Sequence, residues 1–168
     1  SVTLKSNSNP ELALKGVLDL HGSGSPVYSG TDGKAIHLVA TGDISDLSIY
    51  GIGVANNGGG TDGQEYTFDP ISVLPGEDIL VARSISAMTS YFDTCYVEFD
   101  HVLQATSYIS QNGDDAIELF QAGSIIDVFG DINIDGSGQA WDYTDGWAYR
   151  IDNSQTNGGT WDISQWDF

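Results

Sequence analysis

The most specific chemical pattern in the chain lies in the twelve residues 131–142. Oxygen-bearing groups recur there at the spacing of a calcium loop, and Gly136 stands where such loops turn sharply. Because Ca²⁺ takes roughly six to eight oxygen ligands, this spacing predicts a calcium site. The predicted ligands are Asp131, Asn133, Asp135, Asp142 and, through its backbone carbonyl, Ser137.

The same stretch has a second interpretation that needs no metal. Its last position holds Asp142 and not the longer glutamate of the usual loop, and no helices are predicted on either side. Asp, Asn and Gly are also the residues that favour turns between strands. A solvated, metal-free turn therefore stays open beside the calcium site.

A second set of polar and aromatic residues has the chemistry of a carbohydrate-binding site. Amides and carboxylates bond to vicinal hydroxyls, and aromatic faces stack on pyranose rings. A glycine-rich loop over residues 56–66 supplies the polar groups, and the tryptophan- and tyrosine-rich C-terminal region supplies the rings. The predicted ligand-binding residues are Asn56, Asn57, Asp62, Gln64, Trp141 and Tyr143. The alternatives are a plain connecting loop and aromatic rings that belong to the core.

The charge balance and the missing catalytic patterns exclude several classes of function. The chain has 24 Asp and Glu against 5 Lys and Arg, a formal net charge of −19, so we expect no nucleic-acid partner and no binding to anionic membranes. Its histidines, His21, His37 and His101, lack zinc-site spacing, and no nucleophile elbow is present. No stretch has the roughly 20 apolar residues of a membrane span. We therefore expect neither an enzyme nor a membrane-inserted protein.

Short apolar runs between Gly, Asp, Asn and Ser clusters predict a mostly β protein. One helix is predicted over residues 85–91, because Ser84 can cap it and Ile85, Met88 and Phe92 recur at helical spacing. Trp147 and Tyr149 alternate as in a strand, so we expect both on one face. The predicted strands are residues 12–20, 35–40, 46–54, 64–68, 78–82, 102–103, 116–120, 125–129 and 147–151.

A weak internal repeat relates residues 35–46 to residues 116–127, where similar residue types recur at a constant offset. If the repeat reflects structure, it implies two similar hairpins. Few positions match, so chance or shared hairpin chemistry is an equally good explanation.

Two ordered motifs resemble the lamin-tail domain: residues 113–119 (GDDAIEL) and residues 125–130 (IIDVFG). Residues 46–50 and 74–82 are similar to earlier strands of that family, and the resemblance covers about residues 30 to 151. It implies an immunoglobulin-like antiparallel β-sandwich with at most one short helix, of the type attached to secreted bacterial enzymes and surface proteins. The chain departs from the family pattern at His37 and in a glycine-rich insert over residues 56–62.

These observations favour one domain, residues 1–168, that is secreted and works by binding. The chain starts at Ser1 without an apolar leader, as a mature secreted protein would. We expect a calcium-supported, lectin-like module with a glycan or cell-surface polysaccharide as partner. A structural or adhesive domain that binds proteins, including a second copy of itself through a sheet edge, is the first alternative. An accessory module of a secreted enzyme that degrades polysaccharide or nucleic acid is the second.

Overall fold

The computed structural model describes residues 9–152 and 155–168, which form an all-β sandwich with one short α-helix among the described residues. The elements are β1 (Leu12–Asp19), β2 (Lys34–Ala40), β3 (Tyr50–Ala55), β4 (Tyr66–Thr67), β5 (Asp78–Ala82), α1 (Ile85–Phe92), β6 (His101–Gln104), β7 (Ala116–Gln121), β8 (Ser124–Phe129), β9 (Trp147–Arg150) and β10 (Trp166–Asp167). The sandwich and its single helix confirm the fold class predicted from the sequence.

The strands are distributed over a large and a small sheet. The large sheet has the order β10-β9-β1-β2-β5-β6, and the small sheet has the order β4-β3-β7-β8. All pairs are antiparallel except β5 with β6, which run parallel. The parallel pair requires a crossover connection, and α1 lies in it.

The main core lies between the two sheets, where period-two alternation buries one side of each strand. In β2, Ile36 and Leu38 belong to this core, as Ile117 and Leu119 do in β7. Phe129, at the end of β8, is fully buried and lies within 4.8 to 6.2 Å, centroid to centroid, of five other aromatic rings. Those rings are Trp141, Tyr143, Trp161, Trp166 and Phe168.

A buried ion pair joins the two sheets. Asp127 of β8 is fully buried and accepts hydrogen bonds from the Arg150 guanidinium (2.8 Å) and from the backbone N–H of Leu14 (3.0 Å). The Arg150 side chain also stacks over the Trp166 ring, 4.9 Å from its centroid. Because Leu14 and Arg150 belong to the large sheet, Asp127 ties the small sheet to it.

A second apolar layer covers part of the outer face of the large sheet. The Ser84 side chain accepts a hydrogen bond from the Ala87 N–H and so caps α1, as predicted. Ala87 and Met88 of α1 pack on Leu18 and Leu80 of the sheet. The helix leaves the β9 side of this face uncovered, where a cleft remains.

The edge of β8 is covered by the chain itself. Asn157 bonds through its side chain to the Val128 N–H (3.0 Å) and the Val128 carbonyl (2.7 Å), and the Gly158 N–H donates to the Ile126 carbonyl (3.0 Å). These contacts occupy backbone groups that a strand from another molecule would need. The geometry at β8 therefore disfavours pairing of this edge with a second copy.

The structure differs from the sequence prediction in several details. The strand predicted over residues 64–68 is shortened to β4, and β10 was not predicted. The strand predicted from residue 46 begins at Tyr50, because the Asp46 side chain accepts from the Ser48 N–H and folds residues 47–49 into a 3₁₀ turn. The repeat does not give two similar hairpins: β7 and β8 pair directly, whereas β2 and β3 lie in different sheets. Within the described residues, no helix is both long and apolar enough to cross a membrane.

Candidate functional site

A cleft lies on the outer face of the large sheet, beside α1, and we call it the outer cleft. Its polar half, of about 190 Å³, is lined by Lys15, His37, Asp78, Phe92, Cys95, Glu98, Phe99 and Tyr149. Its aromatic half, of about 420 Å³, is lined by Tyr91, Phe92, Trp147, Tyr149 and Asp167. The two halves are adjacent, because Phe92 and Tyr149 line both.

Gly16 makes room for the floor of the outer cleft. It stands opposite Tyr149 of β9 on one side and opposite His37 of β2 on the other. A Cβ at residue 16 would lie 2.7 Å from the Tyr149 ring, well inside ordinary contact distance. Glycine at this position therefore lets the Tyr149 ring lie across β1 and reach His37.

Three polar side chains meet in the polar half. Asp78 Oδ1 accepts hydrogen bonds from Lys15 Nζ (2.9 Å) and His37 Nε2 (2.8 Å). Burial raises the pKa of Asp78, but the bonds from His37 and Lys15 outweigh burial and leave it below its usual range. Asp78 is thus an ionised carboxylate near the entrance of this half.

His37 is held as a neutral ring. Burial lowers the pKa of His37, and the bond to Asp78 offsets this only in part. A neutral ring that donates from Nε2 to Asp78 accepts at Nδ1, where the Tyr149 hydroxyl lies at 3.3 Å. Burial raises the pKa of Tyr149 far above its usual value, so this hydroxyl keeps its proton and donates.

The aromatic half has exposed ring surface. Trp147 is 41% exposed and lies edge-to-face with Tyr149, with ring centroids 5.7 Å apart. Tyr91 and Phe92, at the end of α1, form a second perpendicular pair in this half, with ring centroids 5.0 Å apart. Trp147 and Tyr149 do share one face of β9, as the sequence predicted.

The predicted calcium residues form a series of turns. Asp131 accepts from the Asn133 N–H, Asp135 accepts from the Ser137 N–H, and Asp142 accepts from the N–H groups of Gly138 and Thr144. Burial raises the pKa of Asp142, but these backbone bonds outweigh burial and lower it overall. Within residues 9–152 and 155–168, no group of three or more Asp, Glu, His or Cys side chains is arranged to hold a metal ion.

The predicted polar loop is anchored on a buried carboxylate. Asp115 is fully buried and accepts from Asn56 Nδ2 (3.0 Å), the Asn57 N–H (2.7 Å) and the Asn112 N–H (2.9 Å). Further along this loop, Gln64 bonds to the Thr67 hydroxyl and Asp62 is exposed. Asn56 and Asn57 therefore hold the loop in place through Asp115.

The structure brings the two predicted loops together. The Gly60 N–H donates to the Ile132 carbonyl (2.8 Å), and a Cβ on Gly58 would lie 2.4 Å from the backbone nitrogen of Asp135. Gly58 also has φ +67°, which favours glycine. The loops meet beside the small sheet, whereas the outer cleft lies on the outer face of the large sheet.

Trp141 and Tyr143, the two rings predicted to bind a ligand, are core residues. Their exposed fractions are 5% and 3%, and both pack against Phe129. Neither ring presents a face on which a sugar can stack. The structure thus favours the core alternative that the sequence left open for these two residues.

Below the glycine-rich loop lies a buried carboxyl group, Glu118 of β7. It is fully buried on the outer side of the small sheet, and neither of its oxygens has a hydrogen-bond partner among the described residues. Burial raises the pKa of Glu118, and the negative charges of Asp62 and Glu65 raise it further. The nearby Thr61 hydroxyl offsets this rise only partly and does not reach hydrogen-bond geometry. Glu118 therefore keeps its proton to a higher pH than an ordinary glutamate.

A second cavity, of about 330 Å³, adjoins the predicted calcium loop. Its lining includes Asp131, Asn133 and Trp161. Trp161 is partly buried and is the one aromatic ring that lines this cavity. The outer cleft, with rings on two walls and a polar half beside them, has more of the groups that a carbohydrate site uses.

Most residues of the outer cleft were missed by sequence reasoning. The alternation of Trp147 and Tyr149 is the one local signal, and it predicts only that they share a face of a strand. Lys15, His37 and Asp78 belong to three different strands, and pairing alone brings them together. No sequence motif predicts that strand pairing.

In comparisons with known proteins, no family model, no curated protein and no solved structure shows a significant match to this chain.

Proposed function

We propose that this protein is a non-enzymatic binding module whose ligand is a glycan held in the outer cleft. The observation that carries the proposal is the partly exposed Trp147 ring, paired with Tyr149 and next to the polar half of the cleft. An apolar platform next to a few convergent polar groups is the usual composition of a small-molecule site.

The two halves supply complementary interactions for a sugar. Trp147 offers an apolar ring face to pyranose C–H groups. Asp78 accepts, Lys15 donates, and both are partly exposed, so they reach hydroxyl groups that hydrogen-bond in either direction. A chain of sugars spanning both halves would engage both kinds of contact.

The geometry supports binding and not catalysis. Both ring nitrogens of His37 are engaged, one by Asp78 and one by the Tyr149 hydroxyl. A general base must reach the proton that it removes, and this histidine is occupied on both sides and buried. The His37–Asp78 pair thus supports the cleft wall and holds Tyr149 in place.

The remaining parts of the proposal are a secreted location and calcium support by the 131–142 loop. Composition and the ligand spacing of that loop support them. The turn bonds of Asp131, Asp135 and Asp142 fit a metal-free loop as well. The outer cleft lacks residues from this loop, so glycan binding there does not depend on calcium at the loop.

A glycan array followed by calorimetric titration tests the proposed function. We expect binding of wild type and a loss of roughly five-fold or more in affinity for Trp147→Ala, because truncation of a central aromatic contact costs more than about 1 kcal/mol. Trp161→Ala, in the second cavity, is the matched control and retains affinity once its folding is verified by circular dichroism.

Two results contradict the proposal. Binding that survives Trp147→Ala but is lost in Trp161→Ala moves the site to the second cavity. Absence of glycan binding, together with an apparent molecular mass from light scattering that rises with protein concentration, supports the protein-binding alternative.

A further inference from the structure

The charged groups around the outer cleft are mostly acidic. Asp78, Glu98 and Asp167 contribute three carboxylates, and Lys15 contributes the single basic side chain that lines the cleft in the described part of the chain. Lys15 is already paired with Asp78 at 2.9 Å. The cleft is therefore negative, in a chain whose formal net charge is −19.

The aromatic half contains one of these carboxylates, Asp167, and Lys15 does not line it. Asp167 is its one charged side chain, exposed at the end of β10, and the rings of Tyr91, Phe92, Trp147 and Tyr149 form the rest of the lining. Aromatic faces attract cations within about 6 Å of the ring centroid, most strongly for tryptophan. Arg150, the cation of β9, is directed away from this side, towards Asp127.

Resting on the proposed function, we infer that the outer cleft selects glycans whose sugars carry a free ammonium group. The ammonium occupies the aromatic half, between the ring faces and Asp167, while the sugar ring stacks on Trp147. Acidic glycans are disfavoured because their carboxylates or sulfates meet the carboxylates of the cleft. Neutral glycans bind through stacking and hydrogen bonds alone.

Two oligomers of equal length test this inference: one of glucosamine and one of N-acetylglucosamine. They share the sugar backbone and differ at nitrogen, which is a free, protonated amine in the first and a neutral acetamide in the second. Calorimetric titrations are run at a pH where the free amine is protonated. We expect wild type to bind the glucosamine oligomer at least about five-fold tighter, as a cation–π contact of roughly 1 kcal/mol requires. Asp167→Asn reduces this preference, and raising the ionic strength does the same because the pair is solvent-exposed.

The controls separate the cleft from general attraction of a cation to an acidic protein. Asp43→Asn removes an exposed carboxylate that lines neither half of the cleft and leaves the preference unchanged. Trp147→Ala weakens binding of both oligomers. If the preference falls equally in Asp43→Asn and Asp167→Asn, or survives Trp147→Ala, it reflects net charge only and the inference is overturned.

The remaining outcomes separate the inference from the proposed function. Equal or tighter binding of the N-acetylated oligomer overturns the ammonium preference and leaves glycan binding in place. Binding of other glycans on an array, with neither oligomer bound, has the same meaning. Absence of binding to every glycan contradicts both.

Discussion

Gly16→Ala is expected to destabilise the protein through a single contact with Tyr149. The added methyl group would lie 2.7 Å from Cε1 and Cζ of that ring, against an ordinary carbon–carbon separation of about 3.5–4.0 Å. The ring must move by about 1 Å, which strains its edge-to-face contact with Trp147 and its hydroxyl bond to His37. We expect a loss of about 1–3 kcal/mol in the free energy of unfolding, the usual cost of overpacking.

A double-mutant cycle isolates this contact. Tyr149→Ala removes the ring that collides with the new methyl group, so only the intrinsic difference between glycine and alanine is left at residue 16. Alanine is favoured over glycine inside a strand by roughly 0.5–1 kcal/mol. In the Tyr149→Ala background, Gly16→Ala should therefore be neutral or stabilising, which reverses its sign.

Urea unfolding of the four proteins, followed by tryptophan fluorescence, gives the required free energies. Equal penalties for Gly16→Ala in both backgrounds would refute the reasoning, because the cost would then come from the backbone of β1 and not from Tyr149. The same four proteins report on function: Gly16→Ala should weaken glycan binding, since it displaces the floor of the outer cleft.

Three further predictions concern stability. Asp127→Asn should lower the free energy of unfolding by about 3–5 kcal/mol in urea titrations, since it leaves the Arg150 charge buried and unpaired; a loss below about 1 kcal/mol would contradict this role. Burial raises the pKa of Glu118, so the native state keeps a proton that the unfolded chain releases, and this group makes stability fall as pH rises from the usual glutamate pKa to the raised one. Glu118→Gln should lack that decline, and above the raised pKa it should be more stable than wild type by about 1–3 kcal/mol. If the free energies of unfolding of the two proteins change with pH in parallel, Glu118 is not the group responsible. Calcium binding by residues 131–142 predicts that Ca²⁺ at about a thousand-fold above its Kd adds roughly 4 kcal/mol relative to EGTA, whereas an unchanged Tm establishes a metal-free turn.

Most of the strands were predictable because local patterns specify them. β5 has the predicted ends, Asp78 and Ala82, and α1 begins after the predicted Ser84 cap. Alternation marks a strand wherever one of its faces is buried, and capping depends on residues within one turn. Both signals are contained in short stretches of sequence.

Strand pairing and the outer cleft were not predictable from those patterns. The assignment of β2 and β3 to different sheets depends on which strands bury each other, and periodicity does not report that. The same limit explains why Trp141 and Tyr143 were candidate ligand-binding rings: an aromatic residue in a turn has the same local sequence whether it faces Phe129 or solvent. The cleft exists because five strands, the end of α1 and the segment after it meet on one face.

The most direct test of glycan binding in the outer cleft is an NMR titration that follows the indole N–H signals of the four tryptophans. Trp147 lines the cleft, Trp161 lines the second cavity, and Trp141 and Trp166 are buried. We predict that a glycan selected on the array shifts the Trp147 signal strongly and leaves the Trp161 signal in place. A bound glycan that shifts Trp161 while the Trp147 signal stays unchanged would contradict the account.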